Sequence, residues 1–311
     1  MSQPHVTQKP PLVSVCVPMY NNSQTIARCL QSIVEQDGDF ELLIVDDCSS
    51  DNSVEIAKSF LREGDRLVRN HRNFGQGQNH NRCFELAHGD LIQFVHCDDY
   101  LLPGALQKLS RLFDDPEVGM AFAPRRVVTD DVTWLKFGEA PHANLRNLSA
   151  YNDGVSLVRQ MARAGFAFNW IGEPTSVMFR RSIAMNAGGI HRECFDEVDL
   201  WLRLLLRSAA CFVPEQLAVR NHKAISDEMW KTKPWWLDQL KILSWMMVDP
   251  ASPLHIRVIS ALWWPIAWLG RIVYFGVKGP DRWHRLKILA LEPIRESARA
   301  RRLRKDLNRQ R

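Results

Sequence analysis

The sequence lacks the devices by which many proteins announce their chemistry. It has no C-x-x-C pair, and its seven cysteines (Cys16, Cys29, Cys48, Cys83, Cys97, Cys194 and Cys211) are scattered and odd in number. That excludes a disulfide framework and a zinc cassette and fits reduced thiols in a cytosolic protein. His71, His80, His88, His191 and His222 fall into no H-x-x-x-H or H-E-x-x-H spacing, so each reads first as a surface or hydrogen-bonded histidine. Gly75-Gln76-Gly77 is neither a Rossmann nor a P-loop signature and reads as a turn. The opening MSQPHVTQKPP is polar and Pro-rich, without the apolar centre of a signal peptide. Residues 1–10 are therefore expected to be a flexible arm, and the body is expected to stay where it is made. There is no internal repeat and no low-complexity tract before the tail. Strong net charge is also missing: the total is +5, and residues 281–311 alone hold eleven Lys/Arg against four Asp/Glu. The basicity thus belongs to the tail, and it is no sign of a nucleic-acid groove in the body.

What is present is a run of short apolar strands alternating with helical patterns. LVSVCVP (12–18), ELLIVDD (41–47), RLVRN (66–70) and DLIQFVHCDD (90–99) read as strands. Between them, Ile26, Leu30, Ile33 and Val34 mark one helix face, SSDNS (49–53) offers N-caps for a helix over VEIAKSFL, and a helix is expected near 78–88. Alternation of this kind predicts an α/β fold with a mostly parallel sheet flanked by helices. Further on, VGMAFAP (118–124) and TSVMF (175–179) read as strands, DEVDLWLRLLLRSA (196–209) as a helix with an acidic start, and CFVPEQLAVRNH (211–222) as a return to strand.

Ligands of parallel sheets bind beyond the carboxyl ends of the strands. Tyr20, Asp46, Asp47, Asp98 and Asp99 all fall there. Adjacent carboxylates repel and are costly to dehydrate unless paired or bound to a cation. Asp98 and Asp99 therefore suit Mg²⁺ or Mn²⁺ holding a diphosphate; the bland alternative is that they cap the next helix near Pro103. Asp47 suits a base or a ribose hydroxyl, or else a cap before SSDNS.

Four stretches in order, VSVCVPMYNNSQTIARCLQSI, ELLIVDDCSSDNS, RNFGQGQNHNRCFELAHGD and LIQFVHCDDYLLPGAL, resemble the family 2 glycosyltransferases, inverting enzymes of the GT-A fold. GGIHRECFDEVDLWLRL (188–204) and VPEQLAVRNHKAIS (213–226) match more loosely. The resemblance implies a GT-A-type, Rossmann-like catalytic domain over 11–225, with a nucleotide-binding half (11–115) and an acceptor half (116–225), followed by a helical, Trp-rich, basic extension over 226–311. It implies that Pro18, Tyr20, Asp47, Asn73, Gln76 and Asp98 line a nucleotide-diphosphate sugar, most simply a UDP-sugar. It places Asp99, Asp98 and His222 at the metal or diphosphate, and Glu197 or Asp196 at the position of the catalytic base. Asp199 is a third, more structural, carboxylate.

Two departures stand out. His96 sits where the family most often has the first Asp of D-x-D, and Asp196-Glu197 reverses the usual Glu-Asp order. The implied activity moves a sugar to an acceptor hydroxyl in polysaccharide, glycolipid or cell-envelope glycan synthesis. A nucleotidyltransferase on the same fold is disfavoured because PMYNNSQT (18–25) has no Gly and no Lys for a triphosphate loop. The alternative from another class is a catalytically inactive sugar-nucleotide-binding or membrane-scaffold protein.

The C-terminal third changes character. Eight of the eleven Trp follow Met229, and 258–277 carries Arg271 as its one charge. Core helices, a segment lying in a membrane interface, and a membrane span are all compatible with that pattern. A basic tail would draw an interfacial segment toward anionic lipid, with a glycan or lipid-linked acceptor as partner. The expected location is cytoplasmic, at the cytoplasmic face of the membrane if the tail docks there.

Overall fold

A computed structural model describes residues 12–130, 140–191, 197–221, 237–277 and 282–309. The flexible arm expected over 1–10 and the boundary expected at 225/226 lie outside the described residues.

The apolar run Val13–Met19 forms β1. It pairs in parallel with β2 (Phe40–Asp46) on one side and with β4 (Leu91–Phe94) on the other. β3 (Arg66–Arg69) extends the edge beyond β2. Two-sided burial explains the near-continuous hydrophobicity of these strands. Cys16 enters one core while Val15 and Val17 enter the other, the period-two alternation of a strand.

Helices cover both faces. α1 (Ile26–Val34) and α2 (Ser53–Lys58) pack on the Val15/Val17 side, as does α4 (Ala105–Ser110); α3 (Gln76–Leu86) packs on the Cys16 side. Ile26, Leu30 and Ile33 of α1 are fully buried at the spacing of one face, each contributing about 1.5–3 kcal/mol.

The sheet continues in mixed sense. β9 (Val177–Arg180) runs antiparallel between β4 and β6 (Val118–Phe122). β10 (Ala209–Phe212) follows parallel to β6, and β8 (Tyr151–Asn152) closes the edge, giving eight strands in the order β3-β2-β1-β4-β9-β6-β10-β8. α5 (Gly154–Arg163) starts at Asp153, whose carboxylate accepts the Ser156 N–H at 2.7 Å. α6 (Arg181–Asn186) follows β9, and α7 (Val198–Leu205) buries Leu200, Trp201 and Leu204 in the same core as α5.

Three short strands form a second sheet: β5 (Tyr100–Leu101), β11 (Ala218–Asn221) and β7 (Arg125–Val128), in the order β5-β11-β7. Residues 211–222, expected as one strand, are thus two strands in two sheets. Pro214 falls between them, where a continuous ladder would lose a donor. Of the SSDNS candidates, Asn52 precedes α2 without a side-chain cap, while Asp51 Oδ1 accepts the N–H of Ser53, the first residue of the helix, at 3.0 Å.

The chain ends in three helices, α8 (Asp238–Val248), α9 (Leu254–Val277) and α10 (Arg282–Arg309). α8 buries Ile242, Leu243, Trp245 and Met246 in the main core.

Candidate functional site

Because β1 pairs in parallel with both β2 and β4, their carboxyl ends lie side by side and the three loops that follow share one rim. Two of these loops are zipped together. The Asn21 N–H donates to Ser49 Oγ at 2.9 Å, Asn22 N–H to Ser53 Oγ at 2.7 Å, and Ser23 N–H to Asp51 Oδ2 at 3.0 Å. Burial raises the Asp51 pKa, but hydrogen bonds from Ser53 and Ser23 outweigh it and bring the carboxyl to about 2. Residues that read as caps therefore join loop to loop. Asp46 is fully buried, accepts the Ser49 N–H, and pairs with Arg69 Nε at 3.1 Å.

Asp47, also buried, organises the next loop. Its carboxylate accepts from Asn70 Nδ2 at 2.9 Å and from the N–H groups of Phe74 (2.9 Å) and Gly75 (2.8 Å). Asn73 Oδ1 accepts the same Gly75 N–H at 2.8 Å. Gly75 sits at φ +85°, where a Cβ is disfavoured, and hands the chain to α3 at Gln76. From there a polar line runs inward: His80 Nδ1 donates to the Gln76 carbonyl at 2.8 Å, and His80 Nε2 meets His96 Nε2 at 3.1 Å. Burial, and next the neighbouring His96, lower the His80 pKa to about 3. Tyr20 lies exposed at the end of β1. The half-buried Pro18 has its carbonyl within 3.4 Å of Cys97 Sγ.

The chain drives β4 into His96-Cys97-Asp98-Asp99, and the second sheet receives it. Asn221 at the end of β11 donates its N–H to Asp99 Oδ1 at 3.1 Å and its Nδ2 to the Asp98 carbonyl at 2.6 Å. Thr175 Oγ1 donates to Asp99 Oδ2 at 2.8 Å. Burial first, and then the charge of Asp98, push the Asp99 pKa up to about 7. Neither acid caps α4, whose preceding residue is Gly104. Among the described residues no group of three or more His, Cys, Asp or Glu side chains is placed to hold a metal ion. Asp98 and Asp99 are nonetheless adjacent carboxylates, hard oxygen donors. That donor set fits a Mg²⁺ or Mn²⁺ that takes its other ligands from a diphosphate and water.

Beside this pair lies a charged cluster that sequence reading did not single out. Arg125, at the start of β7, donates Nη2 to Glu173 Oε1 at 2.8 Å, and Arg220 of β11 pairs with the same carboxylate. Burial lowers both guanidinium pKa values to about 10. The charges of Glu197 and Asp99 both act against that burial on Arg125, which puts both acids within electrostatic reach of this arginine. Asp99, Arg125, Glu173, Thr175 and Arg220 line one narrow, closely packed cleft.

The structure thus brings Asp47, Asn73 and Gln76 together through Gly75, links them to His96 through His80, and links Asp99 to the neighbourhood of Glu197 through Arg125. Asp196 and His222 lie outside the described residues. Asp199 is fully buried. Burial raises its pKa, but Arg203 and then His191 overcome that and hold it at about 2. Its partners, Arg203 Nε at 3.0 Å and His191 Nδ1 at 3.0 Å, make it a structural carboxylate. Arg220 had one sequence signal, the R-x-H of residues 220–222. Arg125 and Glu173 had none beyond lying just after strands and turns.

Comparison with known proteins bears on this geometry. The sequence model described as glycosyl transferase family 2 matches residues 14–183. An uncharacterized protein of Mycobacterium tuberculosis (strain CDC 1551 / Oshkosh), MT1568, is 54% identical over 297 residues, covering 94% of this chain and 93% of its own length. The poly(ribitol-phosphate) beta-glucosyltransferase of Bacillus spizizenii is 34% identical over 100 residues, which is 30% of this chain and 16% of that protein. Among solved structures, Staphylococcus aureus TarS 1-349 in complex with UDP-GlcNAc superposes with a TM-score of 0.68 at 17% identity, over 95% of this chain and 88% of that one. The shared architecture is the GT-A fold.

Proposed function

The chain belongs to glycosyl transferase family 2, and from that premise we propose that it is an inverting glycosyltransferase that moves a sugar from a nucleotide-diphosphate sugar to the hydroxyl of a glycan or lipid-linked acceptor in cell-envelope glycan synthesis. The observation that carries this reading is Arg125. It is a buried cation that lines one cleft with Asp99 and on which Asp99 and Glu197 both act electrostatically, so that the acids expected at the leaving group and at the attacking hydroxyl both lie near one guanidinium.

In this reading Pro18, Tyr20, Asp47, Asn73, Gln76 and Asp98 line the donor. Asp47 uses three acceptor positions on the 70–75 loop, which leaves about one of a carboxylate's four for a base or ribose donor. A UDP-sugar is the donor we infer; the TarS complex with UDP-GlcNAc supports that class. Asp98 and Asp99, joined by His222, would hold Mg²⁺ or Mn²⁺, which supplies positive charge to a departing diphosphate. Glu197, or Asp196 beside it, takes the proton from the acceptor hydroxyl, a contribution of about 10²–10⁴-fold. One base acting in one displacement gives inversion at the anomeric carbon. Arg125 and Arg220, sharing Glu173, keep positive charge beside Asp99 in a dry site, where it counts for more than in water.

The test is Glu197→Gln. Transfer from a radiolabelled UDP-sugar should fall by at least about a hundredfold while UDP still stabilises the variant against heat. Full turnover would move the base elsewhere. Retention of anomeric configuration, read by proton NMR of the wild-type product, would overturn the single-displacement reading.

A further inference from the structure

α9 is a two-faced helix. Its inner face is built into the protein: Ile256 and Ser260 are fully buried, and Trp263, Trp264 and Ala267 pack against the main core. Trp264 Nε1 donates to Ser244 Oγ at 3.0 Å and Arg271 Nη2 to Gln239 Oε1 at 2.9 Å, both partners being on α8. Its outer face is apolar and open. Leu254, Val258, Leu262, Ile266, Leu269 and Val273 recur every third or fourth residue and are all exposed, Leu262 by 65%. That spacing is one helix face, and over this length it makes a stripe roughly 30 Å long. Trp283 and Ile294 of α10 are exposed as well. A contiguous open apolar face of that length marks a contact surface.

Among the described side chains of α10 the exposed charges have one sign. The acids Glu292 and Glu296 of α10 are buried and bound by Arg299, whereas Arg282, Lys287, Arg295, Arg301, Arg302 and Lys305 are exposed. A second copy of the chain is a poor occupant, because a two-fold interface sets each patch against itself and would bring the basic helices together. A membrane span also fits poorly. By length and composition Leu254–Phe275 could cross a bilayer, but its hydrogen-bonded inner face would leave half of it against protein.

We propose that the outer stripe of α9, flanked by the basic face of α10, is a docking surface for an anionic lipid bilayer, on which α9 lies in the plane of the interface. Most of the tryptophans that suggested a membrane from sequence are not the contact. Trp245 is buried, Trp263, Trp264 and Trp268 are partly buried, and of these described C-terminal tryptophans only Trp283 is exposed. The aliphatic stripe carries the contact instead. This inference is independent of the catalytic reading above.

The test is co-sedimentation of the full-length protein with vesicles of phosphatidylcholine, with and without phosphatidylglycerol. The wild type should partition to the anionic vesicles and be released by salt. Leu262→Ser/Ile266→Ser and Arg301→Glu/Arg302→Glu should each weaken partitioning by about tenfold or more. All four positions are exposed, so unchanged thermal melting checks that the fold persists. Three results would overturn the proposal: no partitioning of the wild type, equal partitioning of the variants, or retention after an alkaline wash that strips peripheral proteins. A wild-type dimer that Leu262→Ser/Ile266→Ser makes monomeric would do so too, by assigning the stripe to a second copy.

Discussion

His80 and His96 face each other Nε2 to Nε2 at 3.1 Å, the buried His80 backing the half-buried His96 of the H-x-D stretch. One must donate and the other accept. Since His80 Nδ1 already donates to the Gln76 carbonyl, a neutral His80 accepts at Nε2 and His96 donates at Nε2. The pair is thus locked in opposite tautomers. Burial keeps His80 neutral down to about pH 3, whereas the unfolded chain takes up the proton near pH 6.5. Below that value the unfolded state binds more protons, so stability falls as pH drops from about 6.5 to about 3, by up to about 1.4 kcal/mol per unit. Urea melts across that range should show a shallower pH slope for His80→Gln than for the wild type.

Asp99 has the opposite sign. Its carboxyl titrates near 7 in the folded protein and near 3.9 unfolded, so ionising it works against folding as pH rises between those values. In the presence of a chelator, Asp99→Asn should melt at or above the wild-type temperature at pH 8 while losing transfer activity. Mn²⁺ should raise the melting temperature of the wild type in proportion to the logarithm of its concentration and leave Asp98→Asn/Asp99→Asn unmoved. An equal Mn²⁺ response in both proteins would remove these acids from the metal.

Asp199 separates structure from catalysis within one acidic run. Asp199→Asn strips a buried partner from Arg203 and His191 and should cost about 3–5 kcal/mol, read by denaturant unfolding. Its folded pKa of about 2 lies below the unfolded value, so its contribution is present above about pH 4 and disappears as pH falls toward 2. Turnover per folded molecule should survive, in contrast to Glu197→Gln.

Glu173 holds two arginines, so the two sides of that cluster are unequal. Glu173→Gln removes the one carboxylate that directly pairs both Arg125 and Arg220 and leaves them the more distant charges of Asp99 and Glu197, so it should destabilise by about 3 kcal/mol or more. Arg125→Met leaves Glu173 still paired with Arg220 and should cost less. A double-mutant cycle on the melting free energies measures the difference.

Much of this molecule is legible along the chain. β1, β2 and β4 are apolar runs punctuated by Asn, Asp and Ser, and α1 shows its buried face in the spacing of Ile26, Leu30 and Ile33. The clustering of Asp47 with Asp98 and Asp99 at one rim follows from parallel pairing, since every strand then ends on the same edge. Asp51 bonds the start of α2 through the Ser53 N–H and, with its other oxygen, the Ser23 N–H; the second bond is not legible locally, because it needs a loop brought close by the sheet. Apart from the R-x-H that includes Arg220, the cluster of Arg125, Glu173 and Arg220 left no local pattern: about four dozen residues separate each from the next, and no period links them.

Local sequence determined the strands, the first helices and the acids at their ends, because side-chain period and turn chemistry act over a few neighbouring residues. Tertiary structure alone decided which of those acids are structural, that 211–222 divides between two sheets, and which side of α9 faces outward. Those outcomes depend on desolvation and on partners distant in the chain, and burial is a property of the assembled fold.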